Sequence, residues 1–541
     1  GTLNAASIYG GSGTAVVNFN HTGSLNFTPT LDGSLTVNQI GPGTTTLTSA
    51  NTYTGDTFLF GGTLELGFGA VSSDILPTNT TLYLGSGRLL LTGEGTQSVF
   101  RFYSIGSGSI VLGQNQTLDL GQLGMITPFT SVNFDTAAGG ADGGTAGSGI
   151  ILLSGQTTGS IIHQTYTVTD STGFGLATVN ASNQIIRHNT DLLPASGATY
   201  SDYRIDNNAG DSTTAGSAAL VVSSSQSVVS ITVDTTAGPG VLTLDPGVVL
   251  SSNVWNFGSV TGGGHAYEIT GGDSGAGIKA GPGDSIQINN YNSAPVTISA
   301  PILNNGVNSG LDLTGPGTTI LTAVNTYIGS TVVYDGVLVV AAGGSISTTD
   351  SSTTLIGVGT GSPAALLISG GSVSDTFSIL GNTAGAFGTA TVSSGSWSSS
   401  AEKRIGSNGK GVMNLSGGSV TNGDASLGYG AGSSGTANIS GGTWTNNGAF
   451  FLGNSGTGVL NLSGGSVSNA TGYLGYGAGS SGTANVSGGT WTNDGFFYIG
   501  NSGTGVLNLS GGSVSSTFGY LGYGAGSSGT ANVSGGTWTN D

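Results

Sequence analysis

The chain has 541 residues, of which 103 are glycine, well above the usual share of about 7%. Only 6% of residues are charged, where about 25% is usual, and 8 Lys+Arg against 26 Asp+Glu give a net charge of -18. These counts exclude collagen, which needs glycine at every third position, a disordered polyelectrolyte, a phosphate-neutralising nucleic-acid surface, any disulfide or thiolate site and, with no apolar run near ~18 residues, a membrane-spanning helix. Interior glycine also costs a helix about 1 kcal/mol relative to alanine. What remains is an all-β chain with many tight turns.

In chain order, residues 1–119 read as a β-helix section with alternating strands such as Thr63-Leu64-Glu65-Leu66 and Ser109-Ile110-Val111-Leu112. Residues 120–235 are the least regular, with the Gly-rich stretch 139–149 and scattered charges such as Asp202-Tyr203-Arg204-Ile205-Asp206. They form either an inserted subdomain or a solenoid section with long loops. Regular strands resume near Val241-Leu242-Thr243-Leu244, and 236–350 reads as a second β-helix section. From 351 to 541 the chain repeats strictly, with a period of 47 residues made of two half-units.

The half-units are marked by Asn414, Asn438, Asn461, Asn485, Asn508 and Asn532, spaced alternately 24 and 23 apart. The register reaches back to Thr391 and Leu367, giving eight units. A unit of this size holds about three short strands of roughly 5 residues plus turns, which is one coil of a parallel β-solenoid. Neighbouring coils must complete the core. Two positions seven apart change size reciprocally. Leu366/Val373, Met413/Val420, Leu460/Val467 and Leu507/Val514 alternate with Ala390/Trp397, Ala437/Trp444, Ala484/Trp491 and Ala531/Trp538. An interior packed near crystal density demands such exchange. Both positions therefore point inward, and Trp397, Trp444, Trp491 and Trp538 form a core stack, with Trp444 and Trp491 mostly buried.

Two segments match each other across 274 residues. One runs Gly41-Pro42-Gly43-Thr44-Thr45-Thr46-Leu47 through Asn51-Thr52-Tyr53-Thr54-Gly55 to Gly61-Gly62-Thr63-Leu64. The other runs Gly315-Pro316-Gly317-Thr318-Thr319-Ile320-Leu321 through Asn325-Thr326-Tyr327-Ile328-Gly329 to Asp335-Gly336-Val337-Leu338. Both, at 41–67 and 315–341, resemble the autotransporter-associated β-strand repeat of bacterial passenger domains, of the giant surface adhesin type. The second copy departs from the pattern at Ile328 and Val337. The resemblance implies a right-handed parallel β-helix exported to the outside of a Gram-negative-type cell, and a translocator barrel that these residues do not include. The coil of about 23–24 residues points to the same architecture. The final Thr539-Asn540-Asp541 repeats Thr492-Asn493-Asp494, where the chain runs on into another unit, so a segment of a longer, processed protein is expected.

Catalytic and metal chemistry finds little to build on. His21, His163, His188 and His265 have no metal-ligand spacing, and His265, Glu268 and Asp273 sit in a Gly-rich stretch. Gly139-Gly140-Ala141-Asp142-Gly143-Gly144 is a single loose echo of a Ca²⁺-binding nonapeptide, and Gly283-Asp284 a weaker one. No cofactor or metal site is assigned, Ca²⁺ being the one ion the acidic balance leaves open. Beyond Lys410 there is no Lys or Arg, and only Asp424, Asp494 and Asp541 are acidic, so the repeats lack the convergent carboxylates of a polysaccharide-cleaving β-helix.

Period-2 alternation turns the six repeat asparagines outward. They read as a hydrogen-bonded amide ladder or, because N-x-[ST] recurs at Asn26, Asn79, Asn115, Asn180 and Asn461, as glycan acceptors. Phe451, Tyr473, Tyr498 and Tyr520 each precede an inward Leu or Ile and form an outward aromatic stripe. The stripe either shields strand edges or makes contacts with sugars or protein. The reading is a non-catalytic extracellular rod of the bacterial cell surface, acting as an adhesin stalk or a self-assembling filament or matrix component. Its expected partners are itself, end to end or laterally, and cell-surface or matrix polysaccharide. The alternative is a β-helix that binds or cleaves polysaccharide.

Overall fold

The computed structural model describes residues 5–124, 126–127, 130–136, 149–188, 190–206, 219–260, 263–271, 275–281, 285–306, 309–347, 353–358 and 363–540. Among these residues there is no α-helix, and the strands stack as a parallel β-solenoid. The all-β solenoid read from the sequence is therefore the fold.

The first stretch forms two nine-stranded sheets. Thr44–Leu47, for example, lies parallel between Ser24–Phe27 and Thr63–Gly67. Alternate side chains enter a core that extends from Phe19 to Ile185. This stack has an irregular end, where Gly173–Val179 pairs antiparallel with both Tyr166–Asp170 and Ile185–Arg187. A reversed strand cannot continue the parallel ladder. A second solenoid then runs from Asp191–Leu192 to Thr537–Asn540 as one network of 31 strands, around its own core from Leu193 to Val514. The change of core thus falls within 120–235, and the described residues of that segment supply strands to both stacks.

The two stacks lie side by side. Phe174 N–H donates to Asp234 Oδ2 at 2.9 Å, Asn256 Nδ2 to the Gln164 carbonyl at 2.9 Å, and Ser131 Oγ to Thr314 Oγ1 at 3.0 Å. Ser131 Oγ also lies 2.9 Å from the Tyr291 hydroxyl. As residue numbers fall along the first stack they rise along the second, so the chain folds back on itself.

In the strict repeats each coil opens with a strand such as Thr457–Leu462, whose side chains alternate between outside and core. The turn at Ser463-Gly464-Gly465 admits only glycine at its last position. Gly465 has φ +72°, and a Cβ there would lie 2.6 Å from the Gly442 carbonyl oxygen of the previous coil. The next strand, Ser466–Leu474, shifts register between Asn469 and Gly472, which turns a second outer face.

Met413, Ala437, Leu460, Ala484 and Leu507 are successive partners in one column. Val420, Trp444, Val467, Trp491 and Val514 are successive partners in another. All ten are buried. A third inner column reads Ala425, Phe450, Gly472 and Phe497. Phe450 and Phe497 lie 4.9 Å from Trp444 and Trp491. The small Ala437 and Ala484 therefore make room for a Trp–Phe pair, not for Trp alone.

Candidate contact surface

The two matching segments are wired alike. Asn51 accepts from Leu31 N–H and donates to the Ser49 and Ile75 carbonyls, each at 2.8 Å. Asn325 accepts from Ile302 N–H at 2.9 Å and donates to the Ala323 and Ser345 carbonyls at 3.1 and 2.7 Å. One side-chain amide thus ties three successive coils. Two residues on, Tyr53 and Tyr327 are buried with their hydroxyls 2.6 Å from Thr57 Oγ1 and Thr331 Oγ1, and burial pushes both phenols up. Gly62 and Gly336 have φ +59° and +74°, and a Cβ on either would meet the carbonyl of Gly41 or Gly315 at 2.3 or 2.4 Å. Ile328 and Val337, where the second copy departs from the pattern, are half-exposed, so core packing does not constrain them.

Trp397, Trp444 and Trp491 are fully buried, and Trp538 is half-buried. The indole N–H of Trp444 donates to Asn422 Oδ1 at 2.8 Å, and that of Trp491 to Asn469 Oδ1 at 2.7 Å. Asn422 in turn donates to Asn446 at 2.6 Å, and Asn469 to Asn493 at 2.7 Å. This inner amide column was not singled out from the sequence. Its signal was present, because each of these asparagines follows the Val/Trp position by two and so shares its inward face.

The outer asparagines form an unbroken ladder. Asn438 donates to Asn414 at 2.9 Å, Asn461 to Asn438 at 2.8 Å, Asn485 to Asn461 at 2.9 Å, Asn508 to Asn485 at 2.8 Å and Asn532 to Asn508 at 2.8 Å. A glycan on Asn461 would occupy the nitrogen that makes this bond. Asn461→Ala removes two rungs, and the expected loss is about 1–2 kcal/mol, measured by denaturant unfolding.

Phe451, Tyr473, Tyr498 and Tyr520 lie half-exposed on the second outer face. Their rings stack face to face with centroids 5.1, 5.0 and 5.0 Å apart and planes within 12°. Tyr476 stands edge-on against Phe451 and Tyr473, and Tyr523 against Tyr498 and Tyr520. The ring faces are thus taken up by one another, and the column offers edges and hydroxyls. Partial burial and then the neighbouring phenols hold Tyr473 and Tyr498 above the ordinary tyrosine value, so both stay neutral at physiological pH. A second such column on the first stack joins Phe58, Tyr83 and Tyr103, with centroids 4.4 and 4.9 Å apart. Sequence reading missed it because coils there differ in length.

Lys403 is fully buried, with its ammonium 3.7 Å from the centre of the Trp397 ring, 2.7 Å from Ser399 Oγ and 3.0 Å from Ser378 Oγ. Ser378 Oγ also reaches both carboxylate oxygens of Asp375 at 2.9 and 2.8 Å. In register, Lys403 holds the third inner column, which later coils fill with Phe450 and Phe497.

Asp312 is another buried charge, its carboxyl pushed up to about 7 by desolvation, which the hydrogen bond to Ser285 only partly offsets. Because folding raises its affinity for a proton, its favourable contribution is complete at low pH. It is lost as pH climbs from about 4 to about 7. Asp312→Asn should flatten that part of a melting-temperature profile.

Among the described residues no three His, Asp or Glu gather as a metal-ligand group. His21 Nε2 lies 2.9 Å from Thr45 Oγ1 and His163 Nδ1 lies 2.7 Å from Thr165 Oγ1, and burial lowers the His163 pKa. The Glu268 carboxylate accepts from Ser299 Oγ at 2.6 Å. Asp273, the 139–144 stretch and Gly283-Asp284 lie outside the described residues.

The passenger-associated-transport-repeat family matches the chain twice, at residues 37–66 and 311–340. These are the two segments tied by Asn51 and Asn325, so the resemblance to an autotransporter passenger repeat holds at both copies. No curated protein and no solved structure matches the chain.

Proposed function

We propose, from two passenger-associated transport repeats set in a β-solenoid, that this chain is a non-catalytic rod of a secreted or cell-surface bacterial passenger. Its work is mechanical: it holds material away from the cell, or builds filament or matrix, and meets partners along its side. The observation that carries this reading is the 31-strand network from Asp191 to Asn540, reinforced in its regular part by parallel side-chain ladders. Load along such a stack passes from coil to coil through the strand pairing of each coil with its neighbours. The outer surface of the strict repeats is nearly uncharged, which lets identical residues stack at ~4.8 Å without repulsion.

Two measurements test the reading. Antibody labelling of intact cells should detect the chain outside, and electron microscopy of the purified protein should find stiff rods. Stalks would be single and of one length, whereas a filament component would give structures of indefinite length. An exclusively internal location, or flexible globules, would overturn it. Polysaccharide cleavage in a substrate screen would favour the enzymatic alternative instead.

A further inference from the structure

The second outer face of the strict repeats carries exposed aromatic side chains on neighbouring coils. Tyr476 and Phe496 have coils on both sides, yet each is 40% exposed. Phe496 stacks on Phe518 at 5.5 Å and leans on Tyr498 at 5.9 Å. Perpendicular Tyr476 and Tyr523 flank the central column one double coil apart, 47 residues along the chain. Isolated apolar residues on a surface are ordinary, but a contiguous aromatic patch marks a contact site.

We propose that this face is a lateral interface between two copies of the chain, lying side by side. Three observations choose this occupant. The first is charge. Each copy carries -18, yet residues 411–540 hold only Asp424 and Asp494 and no Lys or Arg, so here two copies approach with little like-charge repulsion. The second is ring geometry. Tyr473 and Tyr498 are 5.0 Å apart and within 2° of parallel, leaving no open face for a sugar ring, whereas ring edges and perpendicular tyrosines suit edge-to-face contacts with rings of the same kind. The third is pitch. A second copy has the same double-coil repeat by construction, so contacts made once recur along the overlap, and a two-fold pair satisfies both surfaces alike.

The inference deepens the rod reading and rests on it, but it is tested separately. Wild-type chain should show concentration-dependent self-association in sedimentation equilibrium, kept or strengthened by added salt as the acidic charge is screened. The triple variant Tyr476→Ser/Phe496→Ser/Tyr523→Ser should associate at least tenfold more weakly while still forming rods in the microscope. The chain has no cysteine, so single-cysteine variants give a second readout that does not need the triple variant to fold. Thr471→Cys, beside the patch, should form disulfide-linked dimers on mild oxidation. Thr483→Cys, on the wall of the outer asparagine ladder, should not. A wild type that stays monomeric, an unchanged triple variant, or dimers from Thr483→Cys alone would each overturn the proposal. So would a monomeric wild type that binds an insoluble polysaccharide through this face. Wild-type rods that fail to pair would leave the rod reading standing, and the absence of rods would remove both.

Discussion

Trp444→Ala should destabilise the repeat section by roughly 3–5 kcal/mol, the usual cost of truncating a buried tryptophan. The ring is fully buried, lies between Val420 and Val467 of the adjacent coils and packs 4.9 Å from Phe450. Its removal opens a cavity in a core built from neighbouring coils, and it strips Asn422 Oδ1 of the indole donor at 2.8 Å. Because a solenoid is held by nearest-neighbour interfaces, the damage should be local. Hydrogen exchange should speed in the two coils flanking Trp444 and change little around Asn51 or Asn325. Compensation is a sharper check. Ala437→Leu together with Trp444→Val brings in the Leu460/Val467 pair of the next coil, with Phe450 kept where that coil has Gly472, and should recover part of the loss in denaturant unfolding. A double variant no better than Trp444→Ala would mean that the two columns do not share volume.

Lys403→Phe combined with Asp375→Asn should act in the opposite direction, raising stability by about 1–4 kcal/mol, the range for replacing a buried ionic group together with its partner. Lys403→Phe alone leaves the buried Asp375 without its counter-charge. Burial moves this ammonium from 10.5 down to about 7, with Asp375 opposing the shift. A displacement of that size corresponds to roughly 5 kcal/mol net against the charged form. Phenylalanine already occupies this column at Phe450 and Phe497, against Trp444 and Trp491, so the site can accept it. The matched change Asp375→Asn, which brings in the amide that later coils carry at Asn422, removes the remaining carboxylate. The pH dependence has a definite sign. Between about 7 and 10.5 the unfolded lysine binds a proton that the folded one does not. Wild-type stability therefore rises with pH through that window, and the slope should vanish in Lys403→Phe/Asp375→Asn. Melting temperatures of both proteins across that range decide the matter.

The regular half of the rod was legible because repetition makes packing visible in one dimension. The alternation of Ala437/Trp444 with Leu460/Val467 records an interior volume constraint, and the 24/23 spacing of the asparagines records the coil. The inner amides at Asn422, Asn446, Asn469 and Asn493 obey the same period-2 rule and were within reach of it. The stripe at Phe451, Tyr473, Tyr498 and Tyr520 was placed on the correct side by alternation, but alternation says nothing about ring orientation. Whether faces or edges meet solvent depends on side-chain torsions set by the rings in adjacent coils.

What the sequence determined by itself was the local rule: a glycine-cornered coil, its inward columns, and two copies of a transport-repeat motif. Tertiary structure alone decided the rest. The reversed strand Gly173–Val179 interrupts the parallel ladder, and the second stack then lies back along the first through Ser131, Tyr291 and Thr314. The residues that meet there are 160 and 183 apart and share no period, so no pattern in the chain announces them. Lys403 likewise looks like a surface residue in sequence, and only its register beside Trp397 reveals a charge inside the core. Periodic sequence encodes contacts between identical neighbours, whereas contacts between unlike surfaces are fixed only once both surfaces exist.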